Sequence, residues 1–197
     1  MNIVILAAGT SSRMGQHKLL IPVAGKTLLQ RAAQAALEAC PNVLVVLGRD
    51  ASLVRSSLQQ LPLRFVVNDH YENGKMETSF QTAITVLELQ PTIFMLADMP
   101  LVDARMLRVL AERANTRFAP RGELPLIVAS RYGDVLAPPH LFMPELLPEV
   151  AQYGAKPTIK RHFEQTVFCD WDESCLFDVD TPQDLQVLES VYADLLA

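Results

Sequence analysis

Cysteine is scarce in this 197-residue chain: Cys40, Cys169 and Cys175 form no CxxC pair, and their odd number leaves one thiol over from any pairing. That argues against a disulfide framework or a cysteine zinc site, and fits a reduced, cytoplasmic protein with buried thiols. No apolar run approaches the ~18 residues a membrane span needs. The opening Met-Asn-Ile-Val-Ile-Leu-Ala-Ala-Gly lacks the basic stretch of a signal peptide. A basic excess is missing too, with 17 Lys and Arg against 22 Asp and Glu and a formal net charge of -5. Phosphate backbones demand a basic surface, so no nucleic-acid partner is expected. Hydrophobic residues at 50% exclude disorder. The length suits one core, hence a single domain over residues 1–197.

Charge of one sign is absent from each end. Residues 1–37 contain Arg13, Lys18, Lys26 and Arg31 and no acid; residues 162–197 contain nine acids and no Lys or Arg. A fold that joins the two ends would let an anion and a cation share one site.

What is present is an alternation. Ile3–Leu6, Val43–Leu47, Phe65–Val67, Ile93–Leu96 and Leu126–Val128 are continuously apolar, as strands buried on both faces must be. Between them lie amphipathic stretches near 27–39, 51–60, 77–89 and 103–115. This order predicts an α/β fold, Rossmann-like, with three α/β/α layers around a mostly parallel central sheet. Thr27 with Gln30 reads as a capping box, and Thr181-Pro182-Gln183-Asp184 opens a last helix from about residue 182. The proline-rich stretch 116–161 reads as an insertion around one or two strands, with short helices near 144–151 and 155–163. Trp171, among Asp170, Asp172 and Glu173, reads as a partly exposed loop.

The first strand runs into Ala7-Ala8-Gly9-Thr10-Ser11-Ser12-Arg13-Met14-Gly15-Gln16-His17-Lys18. In parallel α/β sheets ligands bind beyond the carboxyl ends of the strands. Small residues admit close backbone approach, and successive N–H groups make an anion nest. Arg13 offers a planar fork to phosphate oxygens and Lys18 a compact charge. Neither a Walker A loop nor GxGxxG is present. His17, His70 and His162 lack metal-ligand spacing and read as surface or structural residues.

Two acidic elements stand out. Asp98 ends the run Ile93-Phe94-Met95-Leu96-Ala97 and precedes Met99-Pro100; because Asp103 already suits the next helix cap, Asp98 is left for another task. In Asp178-Val179-Asp180, extended backbone puts both carboxylates on one face, where they repel unless a cation intervenes. Mg²⁺ suits them, since it binds through one or two carboxylates plus substrate phosphates.

The stretch LAAGTSSRMGQHKLL resembles the signature loop of MobA-like and MocA-like nucleotidyltransferases, the latter being the molybdenum cofactor cytidylyltransferases. The resemblance implies that Leu6, Ala7, Ala8 and Gly9 wrap a nucleoside triphosphate while Arg13 and Lys18 contact its phosphates. It implies that Asp98, in Asp-Met-Pro, and Asp180, in Asp-x-Asp-Thr-Pro, hold Mg²⁺ (or Mn²⁺), with Asp178 beside them on the acceptor side. Ala8, where guanylyltransferase relatives carry glycine, favours CTP over GTP. Thr78 and Ser79 match the hydroxyl pair of a Gly-Met-x-Ser-Ser motif, although Lys75 and Glu77 replace small residues. Lys156, in Gly154-Ala155-Lys156, matches a cation that faces the acceptor. Ala137-Pro138-Pro139-His140 departs from the family's Gly-His-Pro, and no role passes to His140.

The implied reaction transfers CMP from CTP to the terminal phosphate of molybdopterin cofactor and releases pyrophosphate; a molybdoenzyme is the implied protein partner. Rival readings are a GTP-dependent enzyme, transfer to a sugar or alcohol phosphate, and a non-catalytic accessory that delivers cofactor to a molybdoenzyme. An oxidoreductase is a further rival, disfavoured by the missing GxGxxG.

Overall fold

Strand β1 (Asn2–Ala7) lies inside the sheet, and every residue of it is buried. It pairs in parallel with β4 (Val43–Leu47) on one side and β6 (Thr92–Leu96) on the other, so that Ile5 faces Val45 and Met95. Parallel strands covered on both faces have no polar face, which is why all three read as unbroken apolar runs. The computed structural model describes residues 1–9, 17–73, 75–117, 122–179 and 181–196.

Beyond β4 lies β5 (Arg64–Val67); beyond β6 lie β8 (Val135–Phe142), β7 (Ile127–Tyr132) and β9 (Thr166–Trp171), giving the order β5-β4-β1-β6-β8-β7-β9. Only β8 runs against its neighbours among these seven strands. The proline-rich insertion is thus the β7–β8 hairpin. Trp171 closes β9 and is not part of a loop: Asp170 belongs to this edge strand, whose outer side meets solvent, and Asp172 and Glu173 follow it into a 3₁₀ turn.

Period-2 alternation sorts β1 between the two helical layers. Ile3, Ile5 and Ala7 pack on Leu29, Ala32, Ala33 and Ala36 of α1 (Leu28–Ala39) and on Leu107 and Leu110 of α4 (Ala104–Ala114). The short α2 (Ala51–Ser56) adds Val54 to this layer. Val4 and Leu6 pack the other way, with Phe80 of α3 (Met76–Ile84), Val150 of α5 (Leu147–Tyr153) and Ile159 of α6 (Ala155–Arg161). Truncating a core residue as buried as Ile5 to alanine costs about 2–5 kcal/mol.

The caps form as the sequence predicts. Thr27 and Gln30 exchange side-chain-to-backbone bonds of 3.1 and 2.9 Å, and Asp103 Oδ1 accepts from the Met106 N–H at 2.8 Å. Thr181 and Asp184 reciprocate at 2.7 and 3.3 Å at the start of α7 (Pro182–Leu196). Residues 176–179 form no strand; Val179 is instead buried with Leu188 of α7, Leu28, and Val23 of the two-residue strand β2 (Pro22–Val23), which pairs with β3 (Lys26–Thr27). The acidic end of the sequence is therefore packed on the cationic beginning, and the Arg31 guanidinium lies 3.8 Å from the centre of the Tyr192 ring.

Candidate active site

Four chain exits meet at the carboxyl edge of the sheet, because β1, β4, β5 and β6 are parallel and in register near their ends. Ala8 and Gly9 leave β1, Gly48 leaves β4, Asn68 leaves β5 and Asp98 follows β6 by two residues. Gly48 sets how tightly they close. A Cβ there would lie 2.8 Å from the Ala8 carbonyl oxygen and 2.9 Å from the Tyr71 Cβ, so only glycine lets these segments touch.

Between the exits lies a cavity of about 280 Å³. Leu6, Ala7, Ala8 and Gly9 line one side of it, and Ser79 with Asn68 another. Lys18 reaches it from a single 3₁₀ turn, Lys18–Leu20, and its Nζ sits 2.6 Å from Asp98 Oδ2. Thr78 is not part of this lining, but its hydroxyl belongs to the frame. The buried Asn68 amide donates to Thr78 Oγ at 2.9 Å and to Ser79 Oγ at 3.1 Å, while its oxygen accepts from the His70 N–H at 2.9 Å. An asparagine after a strand reads as a turn residue, so its role in tying α3 to the β5 exit escaped sequence reasoning.

A second cavity, about 360 Å³, opens on the far side of Leu6, Met76 and Leu96, which line both. Phe80 and Phe94 give it an aromatic wall, their rings edge to face at 4.9 Å. Lys156 and Asp178 are on its lining, and Gly154, at φ +84°, turns the chain between α5 and α6 against Glu77. Asp178 is brought there by its neighbour: the Val179 N–H donates to the Asp98 carbonyl at 3.2 Å. Arg13 and Asp180 lie outside the described residues.

His140 is the other residue that sequence reasoning passed over. It stands on β8 opposite Phe94 and Ala129, 1% exposed, and lines the second cavity. Burial, with a smaller push from the Lys156 charge, lowers its pKa from 6.5 to about 3. Its two-residue spacing from the apolar Phe142 was the available signal that it faces inward.

Lys18 and Asp98 are thus held at the mouth of the first cavity, with Asp178 on the second and the two sharing a wall. A hard divalent cation fits this donor set: carboxylate oxygens on adjoining segments, next to the Lys18 ammonium. Among the described residues, which leave out Asp180, no group of three or more His, Cys, Asp or Glu could hold a metal ion.

Residues 3–169 match the MobA-like NTP transferase domain. The chain belongs to this family. Its curated relatives include the bifunctional protein GlmU of Cupriavidus pinatubonensis, 37% identical over 122 residues; the match covers 60% of this chain and 27% of GlmU. The chain thus spans about a quarter of the length of the curated relatives it matches. Among solved structures, Rv0371c of Mycobacterium tuberculosis is 25% identical, with 96% and 97% of the two chains covered and a TM-score of 0.76. A further structure of Rv0371c is a manganese complex. Molybdopterin-guanine dinucleotide biosynthesis protein A of Archaeoglobus fulgidus shares the fold at 18% identity, covering 98% and 100%, with a TM-score of 0.66. Family membership places the chain among the nucleotidyltransferases. No helix among the described residues is long and apolar enough to cross a membrane.

Proposed function

We propose that the protein transfers CMP from CTP to the terminal phosphate of a molybdopterin cofactor. The observation that carries this reading is the pair of cavities divided by Leu6, Met76 and Leu96, with Lys18 and Asp98 at one and Asp178 and Lys156 at the other. Such a partition seats a triphosphate and a phosphorylated acceptor side by side.

In the reaction an oxygen of the acceptor phosphate forms a bond to the α-phosphorus. The bond from that phosphorus to the bridging oxygen breaks, and pyrophosphate leaves with the electron pair. The attacking group is already anionic, so no side chain needs to remove a proton. What the protein supplies is alignment of two like-charged groups and fixed positive charge beside them. Leu6, Ala7, Ala8 and Gly9 hold the nucleotide, Ser79 and the Thr78–Asn68 frame shape its pocket, and Arg13 and Lys18 take the phosphates. Lys156 draws the acceptor phosphate in, and Asp178 holds the acceptor through hydrogen-bond donors that lie away from that phosphate. Asp98 and Asp180 are the residues to hold Mg²⁺ or Mn²⁺, which would supply charge neutralisation and Lewis acidity at the α-phosphate. Ala8 supports CTP over GTP, and a molybdoenzyme is the natural recipient of the product in the cytoplasm.

A second acceptor class, a sugar or alcohol phosphate, belongs in the same test. Each NTP is incubated with Mg²⁺ and molybdenum cofactor, or with glucose 1-phosphate, and pyrophosphate is measured. Release with CTP and the cofactor, lost in Asp98→Ala, is the expected result. No release with any NTP would sink the transferase reading; release with GTP but not CTP would sink only the Ala8 argument.

A further inference from the structure

The second cavity contains a polar group that nothing yet explains. His140 is buried in β8, and its Nδ1 accepts a hydrogen bond from the Ser130 backbone N–H at 3.1 Å. An acceptor nitrogen carries no proton, so in the neutral ring the proton sits on Nε2. That Nε2–H has no hydrogen-bond partner among the described residues. Leaving a buried donor unmade costs about 1–3 kcal/mol, so natural folds keep such groups for a reason. With Nδ1 turned toward β7, Nε2 lies at the other end of a ring that lines the cavity and is itself covered from water, so a ligand meets it only where the lining yields.

The surroundings limit what can meet it. Leu6, Phe80, Phe94 and Leu96 make the wall apolar and partly aromatic, while Lys156 and Asp178 put charge on the lining. A polyhydroxy ring would bury several hydroxyls against that wall with too few partners to satisfy them. A flat heterocycle stacks on it and needs only its edge atoms answered. The imidazole is held neutral by burial, so it offers one directed donor and no charge.

We infer that His140 is a specificity-determining residue for the acceptor: its Nε2–H donates to a ring carbonyl or ring nitrogen of a planar heterocycle seated between Phe80, Phe94 and Leu96. The acceptor's phosphate extends toward Lys156. This deepens the cofactor-transfer reading by naming the atom that recognises the ring, and it separates a pterin-like acceptor from a sugar phosphate.

The test is direct observation of the ring proton. Protein labelled with ¹⁵N-histidine is titrated with molybdopterin cofactor and, separately, with glucose 1-phosphate, and the His140 Nε2–H signal is followed by NMR. Molybdopterin is expected to shift that signal downfield and slow its exchange with water at least tenfold; glucose 1-phosphate leaves it unchanged. In parallel, His140→Phe is expected to raise the acceptor KM at least tenfold while CTP affinity, measured by calorimetry with Mg²⁺, stays within twofold. His140→Gln, which keeps a donor, recovers most of the loss. A signal indifferent to molybdopterin, an equal response to the sugar phosphate, or an unchanged acceptor KM in His140→Phe would overturn the proposal. Should no nucleotide support pyrophosphate release, the transfer reading fails alone, because the titration needs no turnover and still decides what His140 binds.

Discussion

The Lys18 ammonium and the Asp98 carboxylate, 2.6 Å apart, neutralise each other on the lining of the first cavity. Each is the natural partner of something a substrate complex brings: Lys18 of a phosphate, Asp98 of a divalent cation. Removing either therefore has opposite effects on binding. Lys18→Ala is expected to weaken NTP binding at least tenfold and lower kcat about 10²–10³-fold. Asp98→Asn is expected to bind NTP more tightly than wild type without metal, since Lys18 is released to the phosphates, yet to transfer about 10²–10³-fold more slowly. Calorimetry with and without Mg²⁺, beside pyrophosphate release, checks both.

Gly48 limits the approach of the β4 exit to Ala8. Gly48→Ala places a methyl group at 2.8–2.9 Å from backbone atoms of Ala8, so the loop must move. Overpacking of this kind costs about 1–3 kcal/mol. A loss of stability in that range on urea unfolding is expected, together with NTP affinity weakened about tenfold or more.

Asn68 ties α3 to the β5 exit through two hydrogen bonds and holds its own turn with a third, from the His70 N–H. Asn68→Ala leaves the His70 N–H without its acceptor and both hydroxyls without their donor. A loss of about 1–3 kcal/mol is expected. Because Ser79 lines the first cavity, which the proposal gives to the nucleotide, and the second cavity lies beyond Met76, the NTP KM should rise more than the acceptor KM.

Stability should also depend on pH through His140. The unfolded chain protonates this ring near pH 6.5, whereas the folded chain refuses the proton until about pH 3. Below pH 6.5 the unfolded state binds more protons, so stability falls as the pH drops toward 3. The slope is about 1.4 kcal/mol per pH unit, or about 2 kcal/mol between pH 6.5 and 5. Lys156 is the charged neighbour that reinforces the shift. Urea unfolding of wild type and His140→Gln at pH 7 and 5 measures it: the variant should lose about 2 kcal/mol less.

The strands β1, β4 and β6 were plain in the sequence because burial on both faces leaves a strand no polar positions. Asp98 was legible by elimination, since Asp103 caps α4. Strand β9 was hidden because Thr166-Val167-Phe168-Cys169-Asp170-Trp171 is an edge strand, only partly covered and followed by acids. The expectation that Asp178 lies in extended structure missed what holds it: one bond from the Val179 N–H to the Asp98 carbonyl, and backbone groups leave no mark on a sequence. The orphaned Nε2 of His140 was hidden for a related reason. Its meaning depends on Ser130, which pairing of β7 with β8 brings beside it.

The bond between Val179 and Asp98 also bears on timing. In synthesis Asp98 emerges well before the stretch that follows β9. Until that stretch threads back beside β6, the second cavity lacks the wall that carries Asp178. The second cavity is therefore assembled from distant parts of the chain, and neither part encloses it alone.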